Sequence, residues 1–113
     1  MNKTRRKDLQ TAICHLESAQ NTEEKEVFRN EVTEAKSITE TAMDEEQDYL
    51  DNLPENLQQS VRADDAQENI DDLSEAVYIM DNLNDEIDDI DYVSELEHEV
   101  GDAIDHIQNA IER

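Results

Sequence analysis

Apolar residues along this chain recur at steps of three and four, which is the period of one face of an α-helix. The first stripe predicts a short amphipathic helix over residues 4–20, and the second predicts a long helix over residues 23–51. The residues of these two stripes are Leu9, Ile13, Leu16, Phe28, Val32, Ala35, Ile38, Ala42, Tyr49 and Leu53. Asn21 and Thr22 stand between them, and both residue types cap helix N-termini.

One segment interrupts the helical pattern. Pro54, the only proline, cannot continue a helix and moves the preceding residue out of the α region. We therefore expect the chain to reverse over residues 52–58. A third stripe then predicts a helix over residues 61–90, with a coiled-coil-like seam formed by Ile70, Leu73, Val77, Met80, Leu83 and Ile87.

The apolar stripe rotates after this third helix, because Ile87, Ile90, Val93 and Leu96 follow at consecutive steps of three. Ser94 and Glu97 have the spacing of a capping box. This pattern predicts a kink or short break at residues 89–94, followed by a fourth helix over residues 94–112. One uninterrupted helix over residues 63–112 would need the same residues, so the sequence leaves this alternative open.

These elements predict an all-α fold with a single domain over residues 1–113. It is a long antiparallel helical hairpin, and the short N-terminal and C-terminal helices pack on its ends. With one glycine and no tryptophan, the chain lacks the turn residues of sandwiches, barrels and phosphate-binding loops. The predicted helix-packing core is Phe28, Val32, Tyr49, Leu53, Ile70, Leu73, Val77 and Met80.

The apolar content is low for a globular chain. Leu, Ile, Val and Phe together number 24 of 113 residues, barely above the level at which a highly charged chain is disordered. Two long helices of this composition bury little surface by themselves. We therefore expect a homodimer or a small helical bundle.

The charge is strongly acidic and unevenly distributed. The chain holds 32 Asp and Glu against 9 Lys and Arg, a net charge of -23, and all of this excess lies after residue 36. Phosphates would be repelled by such a surface, so we expect no direct nucleic-acid binding. The N-terminal cluster of Lys3, Arg5, Arg6 and Lys7 is expected to pair with acidic helices of the same chain or of a second copy.

The densest acidic run extends over residues 64–105, with 17 carboxylates and no Lys or Arg. On a helix this is about one negative charge per 3.7 Å, against about 3.4 Å on one strand of B-DNA. Solvated helix faces usually intersperse cations, so the run predicts a surface for binding a basic partner; a plain acidic scaffold is the alternative. The predicted partner-binding residues are Asp64, Asp65, Glu68, Asp71, Asp72, Glu75, Asp85, Glu86, Asp88, Asp89, Asp91 and Glu95.

Catalytic chemistry finds no support in the sequence. The chain contains no phosphate-binding glycine loop, no Cys-x-x-Cys and no nucleophile with a convergent histidine, so we expect a non-enzyme without cofactor or metal. His98, Asp102 and His106 could hold zinc loosely, but a plain surface position is the favoured interpretation. The lone Cys14 is interpreted as a small half-buried hydrophobe.

The N-terminal region shows no unbroken apolar run, because Asp8, Gln10 and His15 interrupt it. We therefore expect neither a signal peptide nor a membrane span, and a cytoplasmic location in the host cell.

Three segments resemble a family of small acidic helical proteins encoded by phages, prophages and mobile elements of Firmicutes. They are Met1-Asn2-Lys3-Thr4-Arg5-Arg6-Lys7, the run from Glu45 to Gln58 that contains Asn52-Leu53-Pro54-Glu55-Asn56-Leu57, and Asn69-Ile70-Asp71-Asp72-Leu73-Ser74-Glu75-Ala76. The resemblance covers residues 1 to about 90. It implies a two-helix hairpin core and a mobile-element origin, and it brings no catalytic residues.

The acidic run and the resemblance together predict a counter-defence inhibitor of the anti-CRISPR or anti-restriction type. Such a protein would occupy the basic nucleic-acid groove of a host protein, a CRISPR effector or a restriction enzyme. The alternative is a non-catalytic helical adaptor or structural protein that self-associates or binds a partner helix, with the acidic residues serving solubility.

Overall fold

The chain folds into four α-helices with no β-strand, and the computed structural model describes all 113 residues. This confirms the all-α prediction. Two short 3-10 segments, Glu55–Leu57 and Val93–Leu96, lie in the connections. The helices are α1 (Lys3–Asn21), α2 (Lys25–Asp51), α3 (Val61–Glu86) and α4 (Glu97–Glu112).

Each helix packs against the next one along the chain, and α1 also packs against α4. The result is a closed four-helix bundle of 53 × 21 × 18 Å. The terminal helices therefore lie alongside the α2–α3 pair, and not on its ends as expected from the sequence. Helix α1 has 19 residues and is about 28 Å long, so it runs beside most of α2.

Local sequence signals start two of the helices. The side chain of Asn2 accepts a hydrogen bond from the backbone N–H of Arg5 at 2.8 Å and begins α1. Ser60 accepts one from the backbone N–H of Ala63 at 3.4 Å and begins α3. Helix α2 ends at Asp51, three residues before Pro54, whose ring cannot continue a helix.

A break separates α3 from α4, so residues 61–112 do not form one helix. Helix α3 ends at Glu86, four residues before the predicted end. The Glu95 carboxylate accepts hydrogen bonds from the backbone N–H groups of Asp91 at 3.0 Å and Tyr92 at 2.8 Å. The predicted capping box of Ser94 and Glu97 is wrong, because no side chain caps α4; the side chain that caps the backbone belongs to Glu95.

Twenty buried apolar residues form a continuous core between the four helices. Phe28, Val32, Leu73 and Met80 belong to it, as predicted. Seven of the twenty are alanines, Ala12, Ala19, Ala35, Ala42, Ala76, Ala103 and Ala110. Small side chains let helices approach closely, so one chain buries these stripes without a second copy. The homodimer stays a prediction.

The remaining predicted core residues lie at the margin. Tyr49 is 39% exposed, and Leu53 is half-buried near the reversal, because the bundle core does not extend to the end of α2. On α3 the buried row runs through Asn69 and Leu73, which turns Ile70 partly towards solvent. The prediction of Tyr49 as a core residue is therefore wrong. Leu53 and Ile70 are half-buried outside the core cluster, and Val77 packs half-buried against it.

No helix combines the length and the apolar character that crossing a bilayer requires.

Candidate functional site

The outer surface of α3 carries a continuous acidic stripe. Asp64, Glu68, Asp71 and Glu75 follow at steps of four, three and four, which places them on one side of the helix. All four are exposed. Helix geometry therefore gathers the first part of the predicted partner-binding set on one face.

Basic side chains of α2 neutralise part of the acidic run at the seam with α3. Lys36 forms an ion pair with Asp81, and Arg29 forms one with Asp88. The ammonium of Lys25 donates to the backbone carbonyl of Ile90. The hydrogen bond that Lys36 donates to Asp81, together with the negative charges of Asp81 and its acidic neighbours, holds the pKa of Lys36 above its ordinary value despite partial desolvation.

Most of the acidic run has no such partner. Of the 17 carboxylates over residues 64–105, only Glu68, Asp72, Asp81, Asp88 and Asp102 lie within 4.0 Å of a Lys, Arg or His nitrogen. The other twelve remain uncompensated by direct ion pairs. Crowded like charges on rigid helices create a strong negative potential.

Asp72 differs from the outer stripe because it faces α4. Its carboxylate lies 2.9 Å from Nδ1 of His106 and accepts a bond from Nη2 of Arg113 at 2.7 Å. Burial by itself would raise the pKa of Asp72, but the hydrogen bonds and positive charges of His106 and Arg113 lower it below the ordinary value. Glu68 also pairs with Arg113, at 3.1 Å. These two predicted binding residues therefore hold α4 in place.

Two carboxyl groups meet across the same seam at the other end of the bundle. Glu86 on α3 and Glu99 on α4 are both half-buried. Desolvation, followed by the hydrogen bond and negative charge of Glu86 and the charge of Asp102, raises the pKa of Glu99 above its ordinary value. Sequence reasoning missed Glu99, since no local signal shows which carboxylate of α4 faces α3.

The last predicted residues lie in the α3–α4 connection, at the end of the bundle. Asp89 and Asp91 are exposed there, whereas the carboxylate of Glu95 caps the local backbone. Helix α3 continues for 22 residues from Asp64 to its end at Glu86, about 33 Å, so Asp64 and Asp89 lie far apart. Ten of the predicted residues are thus divided between an outer stripe, the seams and an end loop, while Asp65 is half-buried and Asp85 is exposed on α3.

A buried polar chain crosses the bundle near the N-terminus of α1. Nε of Arg5 donates to Glu46 at 3.0 Å, Asn69 donates to the second oxygen of Glu46 at 3.1 Å, and Arg113 donates to Asn69 at 3.1 Å. Arg5 thus pairs within its own chain. Sequence reasoning missed Glu46 and Asn69, although both occupy apolar-phase positions, four residues after Ala42 and four before Leu73.

The histidines do not converge. His98 is almost fully exposed and lies 3.7 Å from Asp102, while His106 bonds to Asp72 and His15 lies 2.7 Å from Glu31. No three His, Cys, Asp or Glu side chains are grouped as metal ligands. Cys14 is exposed, and not half-buried as expected, because it lies on the outer face of α1.

Comparison with known proteins yields no matching family model, no matching curated protein and no matching solved structure.

Proposed function

We propose that this protein is an acidic mimic of nucleic acid that occupies the basic groove of a nucleic-acid-binding host protein. Its proposed role is counter-defence, as an inhibitor of the anti-CRISPR or anti-restriction type. The mimicry rests on the charges and geometry of the bundle. The counter-defence role and the class of target rest on the resemblance of the sequence to proteins of mobile elements.

The observation that carries the proposal is the stripe along the outer face of α3. Asp64, Asp71 and Glu75 are exposed and have no cation within 4.0 Å. A solvated face that only kept the protein soluble would gain stability from interspersed Lys and Arg. Helix α3 instead has no basic residue after Arg62, at a cost in electrostatic repulsion.

The charge density of the whole bundle supports the same proposal. A net charge of -23 on a long axis of 53 Å is about one negative charge per 2.3 Å. Double-stranded DNA carries about one per 1.7 Å and a single strand about one per 3.4 Å. A groove that binds either form would attract this surface and accelerate the encounter.

The test is affinity capture from a bacterial lysate on immobilised protein, with and without heparin as a competing polyanion. We expect retention of a nucleic-acid-binding protein that heparin and salt release, because screening weakens contacts between exposed charges. Retention unaffected by heparin and salt would contradict mimicry.

Charge-reversal variants locate the contact surface. Replacing Asp64, Asp71 and Glu75 by Lys is expected to abolish retention of the captured protein. A matched control with the same change in net charge, Glu26→Lys, Glu34→Lys and Asp44→Lys, alters exposed residues of α2 and is expected to retain it. Equal losses in both variants would show that overall charge, and not the α3 stripe, is recognised. Circular dichroism checks that both variants remain helical.

The adaptor alternative requires an apolar stripe that is free to bind a partner helix. In this structure Leu73 is fully buried and Val77 packs against the core of the same chain. A Leu73 substitution would therefore report on folding and not on partner binding. Capture of a protein that survives heparin and depends on exposed apolar residues such as Val61, which is 74% exposed, would support the adaptor.

A further inference from the structure

An open cleft of about 700 Å³ lies between the start of α1, the end of α2 and the reversal that follows α2. Its walls include Met1, Glu45, Asp48, Tyr49 and Leu53. No residue of α3 or α4 lines it, so it is separate from the acidic stripe of α3.

The apolar wall of this cleft continues the stripe that builds the α2 side of the core. Tyr49 and Leu53 follow Ala42 and Glu46 in that stripe, but the bundle does not cover them. Tyr49 stays 39% exposed. An aromatic ring and a leucine are thus accessible beside a polar rim, which is the composition of sites that anchor a partner side chain.

The residues that line the cleft carry two carboxylates, those of Glu45 and Asp48, and two cationic groups, the guanidinium of Arg5 and the α-amino group of Met1. The carboxylates of Glu45 and Asp48 have no Lys, Arg or His nitrogen within 4.0 Å. Arg5 is the one basic side chain in the wall, and it is already paired with Glu46 at 3.0 Å. Two carboxylates therefore remain free beside the ring of Tyr49.

We infer that this cleft binds an arginine side chain of a partner protein. A guanidinium is planar, stacks on aromatic faces and pairs with carboxylates in a fixed fork. Its methylene stem packs on apolar surface while the charged head stays near water. Tyr49 and Leu53 supply the stacking and apolar surfaces, and Glu45 and Asp48 supply the negative charge.

The test uses isolated protein and three small probes, N-acetyl-argininamide, N-acetyl-lysinamide and N-acetyl-leucinamide. Chemical-shift changes in ¹H–¹⁵N spectra follow each titration. The arginine probe is expected to saturate a site centred on Tyr49, Asn52 and Leu53, with tighter binding than the lysine probe. The leucine probe is expected to cause smaller shifts there, because it lacks the charge.

Two variants identify the contacts. Tyr49→Ala is expected to weaken arginine binding about threefold, the scale of one exposed cation–π contact, and Asp48→Asn is expected to weaken it by a similar factor. Tyr78→Ala serves as the matched control, since Tyr78 is exposed on α3 outside the cleft, and it should leave the affinity unchanged.

Three results would overturn the inference. They are shifts spread evenly over the carboxylates of α3 and α4, equal binding of the leucine probe, and an unchanged affinity in Tyr49→Ala that folds normally. No target protein takes part in this experiment, so it can be interpreted even if the protein does not mimic nucleic acid. Conversely, the absence of arginine binding in the cleft would not contradict the proposal for the α3 stripe.

Discussion

Arg5 at the start of α1 donates through Nε to the carboxylate of Glu46 near the end of α2, at 3.0 Å, and both side chains are nearly inaccessible to solvent. The second oxygen of Glu46 accepts from Asn69 on α3. Such a buried pair fixes the axial position of three helices relative to one another, because a shift of any helix would leave a buried charge or amide without its partner.

Breaking this pair from one side should be costly. Glu46→Leu leaves the Arg5 guanidinium buried without a counter-charge, so we expect the free energy of unfolding to fall by about 3–5 kcal/mol. Urea denaturation followed by circular dichroism measures the change. The control is the double variant Arg5→Met with Glu46→Leu, which removes both charges and should recover most of the loss. A loss below about 1 kcal/mol in the single variant would show that water solvates Arg5.

The attachment of α4 to α3 should weaken in acid. Because the folded pKa of Asp72 lies below the ordinary 3.8, its stabilising contribution is complete above that value and is lost as pH falls through the folded pKa. At pH 7 we expect Asp72→Asn to cost about 1.5–3 kcal/mol, the scale of hydrogen bonds to a charged group. Urea denaturation at pH 7 and at pH 2.5 measures the free energy of unfolding of the variant and of the parent. The difference between the two should be smaller at pH 2.5. A constant difference would contradict this linkage.

Glu99 should have the opposite pH dependence. Its folded pKa lies above the ordinary 4.5, so protonation favours the folded state and stability rises as pH falls through the folded pKa. At pH 7 we expect Glu99→Gln to melt at a higher temperature than the parent. The gain in the free energy of unfolding should be less than about 1 kcal/mol, because the site is partly solvated. The advantage should disappear near pH 4.

Glu97→Gln is the matched control for Glu99, because Glu97 begins the same helix and is exposed. It should leave the pH dependence of melting unchanged. A melting temperature of the parent that falls steadily from pH 7 to pH 5 would show that paired carboxylates, and not crowded ones, dominate in that range.

The seam between α2 and α3 should depend on salt. Lys36→Ala removes the partner of Asp81, and we expect the free energy of unfolding to fall by about 0.2–1 kcal/mol at pH 7. The decrease should be smaller in 1 M NaCl, because salt screens exposed pairs. Since the pKa of Lys36 is raised above 10.5, its contribution is complete below that value and is lost as pH rises through the folded pKa. Lys7→Ala is the control, because Lys7 is exposed and has no acidic partner within 4.0 Å. Equal effects of the two substitutions would contradict a specific Lys36 pair.

The sequence by itself determined the helical stripes and the reversal that follows α2. Apolar spacing and the steric effect of Pro54 act within a few residues, so both can be recognised in the sequence without the tertiary structure. The same local rule placed Phe28, Val32, Leu73 and Met80 in the core.

Only the tertiary structure decided which polar groups meet. Arg5 and Glu46 are 41 positions apart, and Glu86 faces Glu99 across two different helices. The tertiary structure also decided the exposure of Tyr49, because that exposure depends on where the neighbouring helices end. These contacts are set by the axial register between packed helices, and that register results from side-chain packing over the whole bundle, a property that no local stretch of sequence contains.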